Sequence, residues 1–162
     1  MAITNYLSPI SFKIVIERLP NVEFFTQNVA IPGLSMTPAP QVSPLHQLYE
    51  TGDRIDYADL DLSFIADENM NNYQEILRWM EGLGTPEESK QRFDIKKTKA
   101  GERSDITIIV ENSTRNANLE FVFTDAFPTA LGGVQLDVTS TDVQYPVITV
   151  SFRYNNMRFR QL

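Results

Sequence analysis

The sequence predicts a mainly β domain with one α-helix, arranged as a β-sandwich or partly open barrel whose helix covers an edge or an end. Three observations predict it. Apolar residues recur at every second position in several short runs, helical periodicity occurs once, and the order is strands, a lone helix, then strands. The 162 residues have room for one domain, 1–162, and the βαβα alternation of a nucleotide-binding fold is missing.

Phe12-Lys13-Ile14-Val15-Ile16-Glu17 alternates as a half-buried strand does. Pro20-Asn21 reads as a turn and Val22 to Ile31 as a second strand, so the two predict a hairpin. Pro32-Gly33 ends that pair. Residues 32–52, with Pro32, Pro38, Pro40 and Pro44, read as an extended arm without regular structure, because proline removes ladder donors. An arm of that length often marks a functional contact. From Ile55 to Ile65 the alternation returns, with Leu60, Leu62 and Phe64 on one face and Asp59, Asp61 and Ser63 on the other.

Met70, Tyr73, Ile76, Leu77, Met80 and Leu83 share one helical face and predict a helix over 67–84. Asp67 is the expected N-cap, with Gly82 or Gly84 as the stop. Residues 85–104 read as a polar loop. Strands are then expected over 105–110, 118–124 and 146–154, with a shorter one over 134–138.

The chemistry-bearing residue types are sparse. The chain has no cysteine, so disulfides and thiolate chemistry are excluded, and its single histidine, His46, sits in the arm with no nucleophile elbow nearby. A zinc or iron site would need carboxylates almost alone. Asp56, Asp59 and Asp61 lack the spacing and glycine of a calcium loop, and Gly132-Gly133 lacks the Lys-Ser/Thr of a phosphate loop. No catalytic constellation, metal site or cofactor is expected, and the chain does not read as an enzyme. With a formal charge of −7, tight phosphate binding is disfavoured. No signal peptide and no apolar run of ~20 residues is visible, which suggests synthesis in a cytoplasm without a membrane partner.

The charges are segregated. Residues 50–68 hold seven acidic side chains against Arg54, net −6, while residues 90–103 hold six basic ones against Asp94 and Glu102, net +4. Two unrelated solvated stretches would explain this. So would head-to-tail association, in which a basic loop of one copy meets an acidic surface of the next. Asp53, Arg54, Lys96, Lys97, Lys99 and Arg103 are the candidate ring-to-ring contacts, and Lys96→Glu with Lys97→Glu should then block polymerisation.

Several ordered blocks resemble the tail tube proteins of contractile-tailed phages. They are Phe12 to Ile16, Phe24 to Val29 and Ile31-Pro32-Gly33; Gly52-Asp53-Arg54, a strand, Asp67-Glu68 and a helix with Trp79; then Ala126-Phe127-Pro128-Thr129, Val134-Gln135-Leu136-Asp137 and Val147 to Tyr154. Phe127 and Val138 stand where that family often has tryptophan, and Asn155 to Arg160 extend past its usual end.

The resemblance implies a tail-tube-type subunit that forms hexameric rings, with strands of six copies closing a ring-wide barrel. Rings would stack inside a sheath, between baseplate and tail terminator proteins, in a virion tail assembled in the host cytoplasm. DNA would cross the lumen without specific binding, and Asp59, Asp61, Glu111 and Glu120 are the candidate lumen-facing carboxylates. Related alternatives are a tube-like ring of the baseplate or tail terminus and a type VI secretion needle subunit. A small barrel for single-stranded nucleic acid, stacking bases on Phe24, Phe25, Tyr57, Phe152 and Tyr154, is opposed by the sequence pI of about 4.7.

Overall fold

A computed structural model describes residues 7, 11–41, 45–46, 48–84, 90, 101–139 and 144–162. The body is a seven-stranded antiparallel sheet in the order β1-β8-β9-β10-β7-β2, with β11 also on β9. Its strands are β1 (Phe12–Ile16), β2 (Thr26–Ala30), β7 (Leu60–Ile65), β8 (Ser104–Glu111), β9 (Ala117–Leu131), β10 (Val147–Arg153) and β11 (Asn156–Gln161). Alternation decides what each strand buries. Ile14 and Ile16, Leu60, Leu62 and Phe64, Ile106 and Ile108, and Ile148, Val150 and Phe152 all point into one core.

The fifteen residues of β9 tie two halves together. Its first part pairs β8 and β11, and its last part pairs β10. At the bend, Asp125 holds a positive φ of 58°, and its N–H donates to Asp105 Oδ1 at 3.0 Å. The partner strand bends at the same level, where Asn155 N–H donates to Thr124 O at 3.1 Å. The sheet thereby folds over its own apolar face.

The expected hairpin of β1 with the following strand does not form. Pro20 occupies the first turn of a short helix, α1 (Pro20–Phe25), where its fixed φ and missing N–H are an advantage. Glu23 N–H donates to Leu19 O at 3.0 Å and Val22 is fully buried. β1 therefore pairs β8, and β2 pairs β7. A short helix thus precedes the long one that the periodicity predicts.

The arm at 32–52 is also more regular than its prolines suggest. β3 (Leu34–Met36) pairs β6 (Ile55–Tyr57), and β4 (Ala39–Gln41) pairs β5 (Leu48–Glu50). Each ladder is two-stranded, so prolines can face solvent on edges. The arm joins the body through Ala58 N–H to Gly33 O at 3.2 Å, and it interrupts the expected strand 55–65 at Ala58-Asp59.

The long helix α2 (Asn71–Leu83) ends at Gly84, whose N–H donates to Met80 O at 2.9 Å. Its start differs from expectation. Met70, in the left-handed region, precedes it, and Asp67 makes no cap; its carboxylate accepts from Asn71 Nδ2 at 3.0 Å. Fully buried Asn72 fixes this turn, donating to Ile65 O at 2.8 Å and accepting from Asp67 N–H at 3.3 Å.

No strand forms over 134–138. Gly132 N–H still bonds Thr149 O at 2.7 Å, but β9 has ended, and Asp137 accepts from Thr139 N–H at 2.8 Å and turns the chain. Of the polar loop 85–104, residues 85–89 and 91–100 lie outside the described residues, while Ser104 already begins β8.

Candidate assembly surfaces

The four strands β2, β7, β10 and β9 form a half-sheet whose outward face is polar and carries short side chains. Register places Ala30 beside Asp61, Asp61 beside Ser151, and Ser151 beside Ala130; Asn28, Ser63 and Thr149 form the next row. Asp61 accepts from Ser151 Oγ at 2.6 Å, and Thr129 Oγ1 donates to Ser151 O at 3.1 Å. Asp59 forms an ion pair with Arg153. The polar partners on β10 were legible only as the outward half of its alternation.

The other half-sheet, β1, β8, β9 and β11, has a different outward face. Lys13, Ile109, Glu120 and Arg160 occupy one row across four strands. Glu111 pairs with Lys13 at 3.4 Å, and Glu120 accepts from Arg160 Nε at 2.8 Å. The four candidate carboxylates therefore fall into two pairs on different half-sheets. Three of them face a cation and Asp61 accepts a hydroxyl hydrogen bond, so all are held in place by partners.

Among the candidate contact residues, Asp53 and Arg54 lie on the exposed arm, where Arg54 pairs with Asp56 at 3.4 Å. Arg103 lies over the Phe127 ring at 5.8 Å, next to the start of β8. Lys96, Lys97 and Lys99 lie outside the described residues. His46 is exposed near the arm's tip. Phe24 is exposed, whereas Phe152 is fully buried and Tyr154 nearly so, which divides the suggested base-stacking set between surface and core. Among the described residues no three His, Asp or Glu side chains converge as a metal site would require, and no helix is long and apolar enough to cross a membrane.

Strand edges are the feature sequence reading could not place. Among the described residues β2 pairs only β7, and β8 reaches β9 no further than Ser104 opposite Ala126, so Phe127–Leu131 of β9 pair only β10. Among the described residues the half-sheet thus has a free edge on each side. Burial moves two titrations, one of them on the other side of the core. Desolvation pushes the Tyr154 hydroxyl above its usual range, with Tyr57 adding to the shift, and lowers the Arg18 guanidinium, which stacks 4.9 Å from the Trp79 ring.

A polar-faced β half-sheet whose two edges are unpaired among the described residues, carrying a two-stranded arm, has the form of a structural building block. The chain belongs to the phage tail tube protein family, whose model matches residues 4–160. Such proteins are structural components and not enzymes. A comparison with curated proteins gives no match.

Among solved structures, the anti-feeding prophage tube-terminating cap is similar over 100% of this chain and 95% of its own, with a TM-score of 0.70 at 13% identity. A sheath/tube terminator structure of an extracellular contractile injection system gives 0.64 at 15%, covering 98% and 99%. The sheath–tube complex of that system gives 0.61 at 14%, covering 99% and 95%. At these identities the likeness is one of fold.

Proposed function

We propose that this protein forms hexameric rings that stack into the inner tube of a contractile phage tail, through which DNA reaches the host. The observation that carries the reading is the pair of edges on the four-stranded half-sheet that stay unpaired among the described residues. Each neighbour in β2-β7-β10-β9 runs antiparallel, so β2 and β9 run opposite to one another. A copy related by a cyclic axis along the strands then offers β2 to the free part of β9 in antiparallel fashion. An even number of strands per copy lets the alternation close without a mismatch. Six copies give roughly 24 strands, and at ~4.8 Å per strand the backbone circle is about 40 Å across. Closure also removes the exposed edges that would otherwise recruit any other strand.

In this ring the half-sheet's outward face lines the bore, with Asp59 and Asp61 beside Ser63, Thr149 and Ser151. Short hydroxyls and carboxylates without free cations suit a conduit that must not bind phosphates. Glu111 and Glu120 lie on the other half-sheet and do not share that bore. The sheath, baseplate and terminator proteins are the expected partners, in a tail assembled in the host cytoplasm.

A second reading is a ring that ends the tube or begins it at the baseplate, favoured by the higher structural similarity to the cap and terminator structures. Negative-stain microscopy of the purified protein separates the two: open cylinders support the tube subunit, and discrete rings the end piece. Hydrogen exchange then tests the edges. Amides of 26–30, 127 and 129–131 should gain protection on assembly. A protein that stays monomeric, or rings that leave both edges exchanging freely, would overturn the proposal.

A further inference from the structure

Resting on the ring reading above, we infer that the Asp59–Arg153 ion pair is a mask: Asp59 occupies the one guanidinium of the half-sheet that would otherwise grip the phosphates of passing DNA. β2, β7, β10 and Phe127–Leu131 of β9 contain no lysine and no arginine except Arg153. Arg153 follows Thr149 and Ser151 on the outward side of β10, with its side chain 54% exposed. It is also the longest side chain there, since Ala30, Asp61, Ser63 and Ala130 are all short. A double helix on the ring axis passes nearest to the longest side chains of the wall. A guanidinium takes phosphate oxygens two at a time. Six unmasked copies in every ring would turn the conduit into a row of phosphate sites.

The fold puts Asp59 where it cancels that charge. The β7–β10 ladder ends at Leu60 opposite Phe152, so Asp59 and Arg153 lie one step past its last rung. Here the chain leaves β7 for the arm, and Ala58 N–H already bonds Gly33 O. The ion pair of Arg153 Nη1 with Asp59 Oδ1 takes over where backbone pairing stops. Asp61 is held elsewhere, because its Oδ1 accepts from Ser151 Oγ at 2.6 Å one rung further in. The two aspartates therefore carry the same charge and have different roles. Asp61 adds a negative charge to the wall, whereas Asp59 adds one and also covers a positive one. With side chains 54% and 38% exposed, the pair contributes little to stability, so the mask can be lifted without unfolding the chain.

Asp59→Asn and Asp61→Asn lower the wall's negative charge equally, which separates masking from general acidity. Tubes or rings of each full-length variant are mixed with short labelled double-stranded DNA and then treated with nuclease, so that DNA inside the bore is what is scored. Asp59→Asn assemblies should retain about tenfold or more protected DNA over the unsubstituted protein at low salt. With six guanidinium groups of a ring each on a phosphate, that affinity should fall about a thousandfold between about 50 and 200 mM salt. Asp61→Asn should stay close to the unsubstituted protein, and Asp59→Asn combined with Arg153→Gln should return to it.

Equal retention by Asp59→Asn and Asp61→Asn would assign the effect to net charge and overturn the mask. Retention that survives Arg153→Gln would assign it to another cation, such as Arg103 over the Phe127 ring beside Arg153, and overturn it as well. Asp59→Ser is the second variant; if neither Asp59 variant assembles, the pair is a structural tie and the mask is overturned. Asp59→Asn tubes that hold no more DNA than the unsubstituted ones overturn this inference and leave the ring reading standing. An unsubstituted protein that forms neither rings nor tubes overturns both.

Discussion

Replacing Trp79 tests how the helix is held on the barrel. Trp79 is 2% exposed on α2, and its ring meets Phe152 of β10 with centroids 6.1 Å apart. Its Nε1–H donates to Glu102 O at 3.1 Å, and the Arg18 guanidinium stacks 4.9 Å from the ring centroid. One side chain therefore joins α2, β10, the turn after β1 and the segment leading into β8. Trp79→Ala removes the whole ring and should cost about 4–5 kcal/mol, the upper part of the range for large-to-small core changes. Trp79→Phe keeps a ring under Arg18 but loses the hydrogen bond and some volume, for about 2 kcal/mol. Against a total of about 5–15 kcal/mol, the alanine variant forfeits a large share of the fold. Trp79 is the only tryptophan, so its fluorescence cannot follow the variants. Urea unfolding of the dilute monomer by far-ultraviolet circular dichroism is the measurement. An alanine variant losing less than about 2 kcal/mol, or a phenylalanine variant as unstable as the alanine one, would refute the stapling role.

Three further perturbations address the polar core, the arm and pH. Asn72→Ala leaves Ile65 O and Asp67 N–H without their partner and should cost about 2–3 kcal/mol in the same unfolding experiment. Gly52→Ala would place a Cβ 2.2 Å from Thr37 O, so the arm must shift; monomer stability should change by under about 1 kcal/mol while hydrogen exchange across β4 and β5 speeds up. The Tyr154 hydroxyl is buried without a hydrogen-bond partner among the described residues, so Tyr154→Phe should be neutral or stabilising by up to about 1 kcal/mol. Because its pKa is raised, the unfolded chain loses this proton first as pH rises. Stability should fall above about pH 10, by at most ~1.4 kcal/mol per pH unit from this group, and Tyr154→Phe should remove that component.

Much of the body was legible because its strands are amphipathic. Leu60, Leu62 and Phe64, or Ile148, Val150 and Phe152, announce a buried face without knowledge of any neighbour. The helix was legible for the same reason at a different period. The errors cluster where a partner decides the outcome. Val134, Leu136 and Val138 alternate as a strand should, but among the described residues no strand lies beside them. Val22 to Ile31 reads as one strand until Pro20 starts a helical turn and Val22 is drawn into the core. The arm's prolines argued against ladders, yet a two-stranded ladder has only edges and tolerates them. Of the assembly surfaces, Asp59 and Asp61 were visible as the polar side of an alternation, whereas their separation from Glu111 and Glu120 was not.

Composition and periodicity alone settled that this is a β-rich domain with one long helix, and they exposed how little reactive chemistry the chain carries. Those properties are local, since a two-residue or 3.6-residue repeat and a missing cysteine can be read without neighbours. Tertiary structure decided which strands meet, where β9 bends from one half-sheet to the other, and which backbone edges remain unpaired. Hydrogen-bond ladders join residues as far apart as Phe12 and Val110, and an open edge is defined only by the strand that is not beside it.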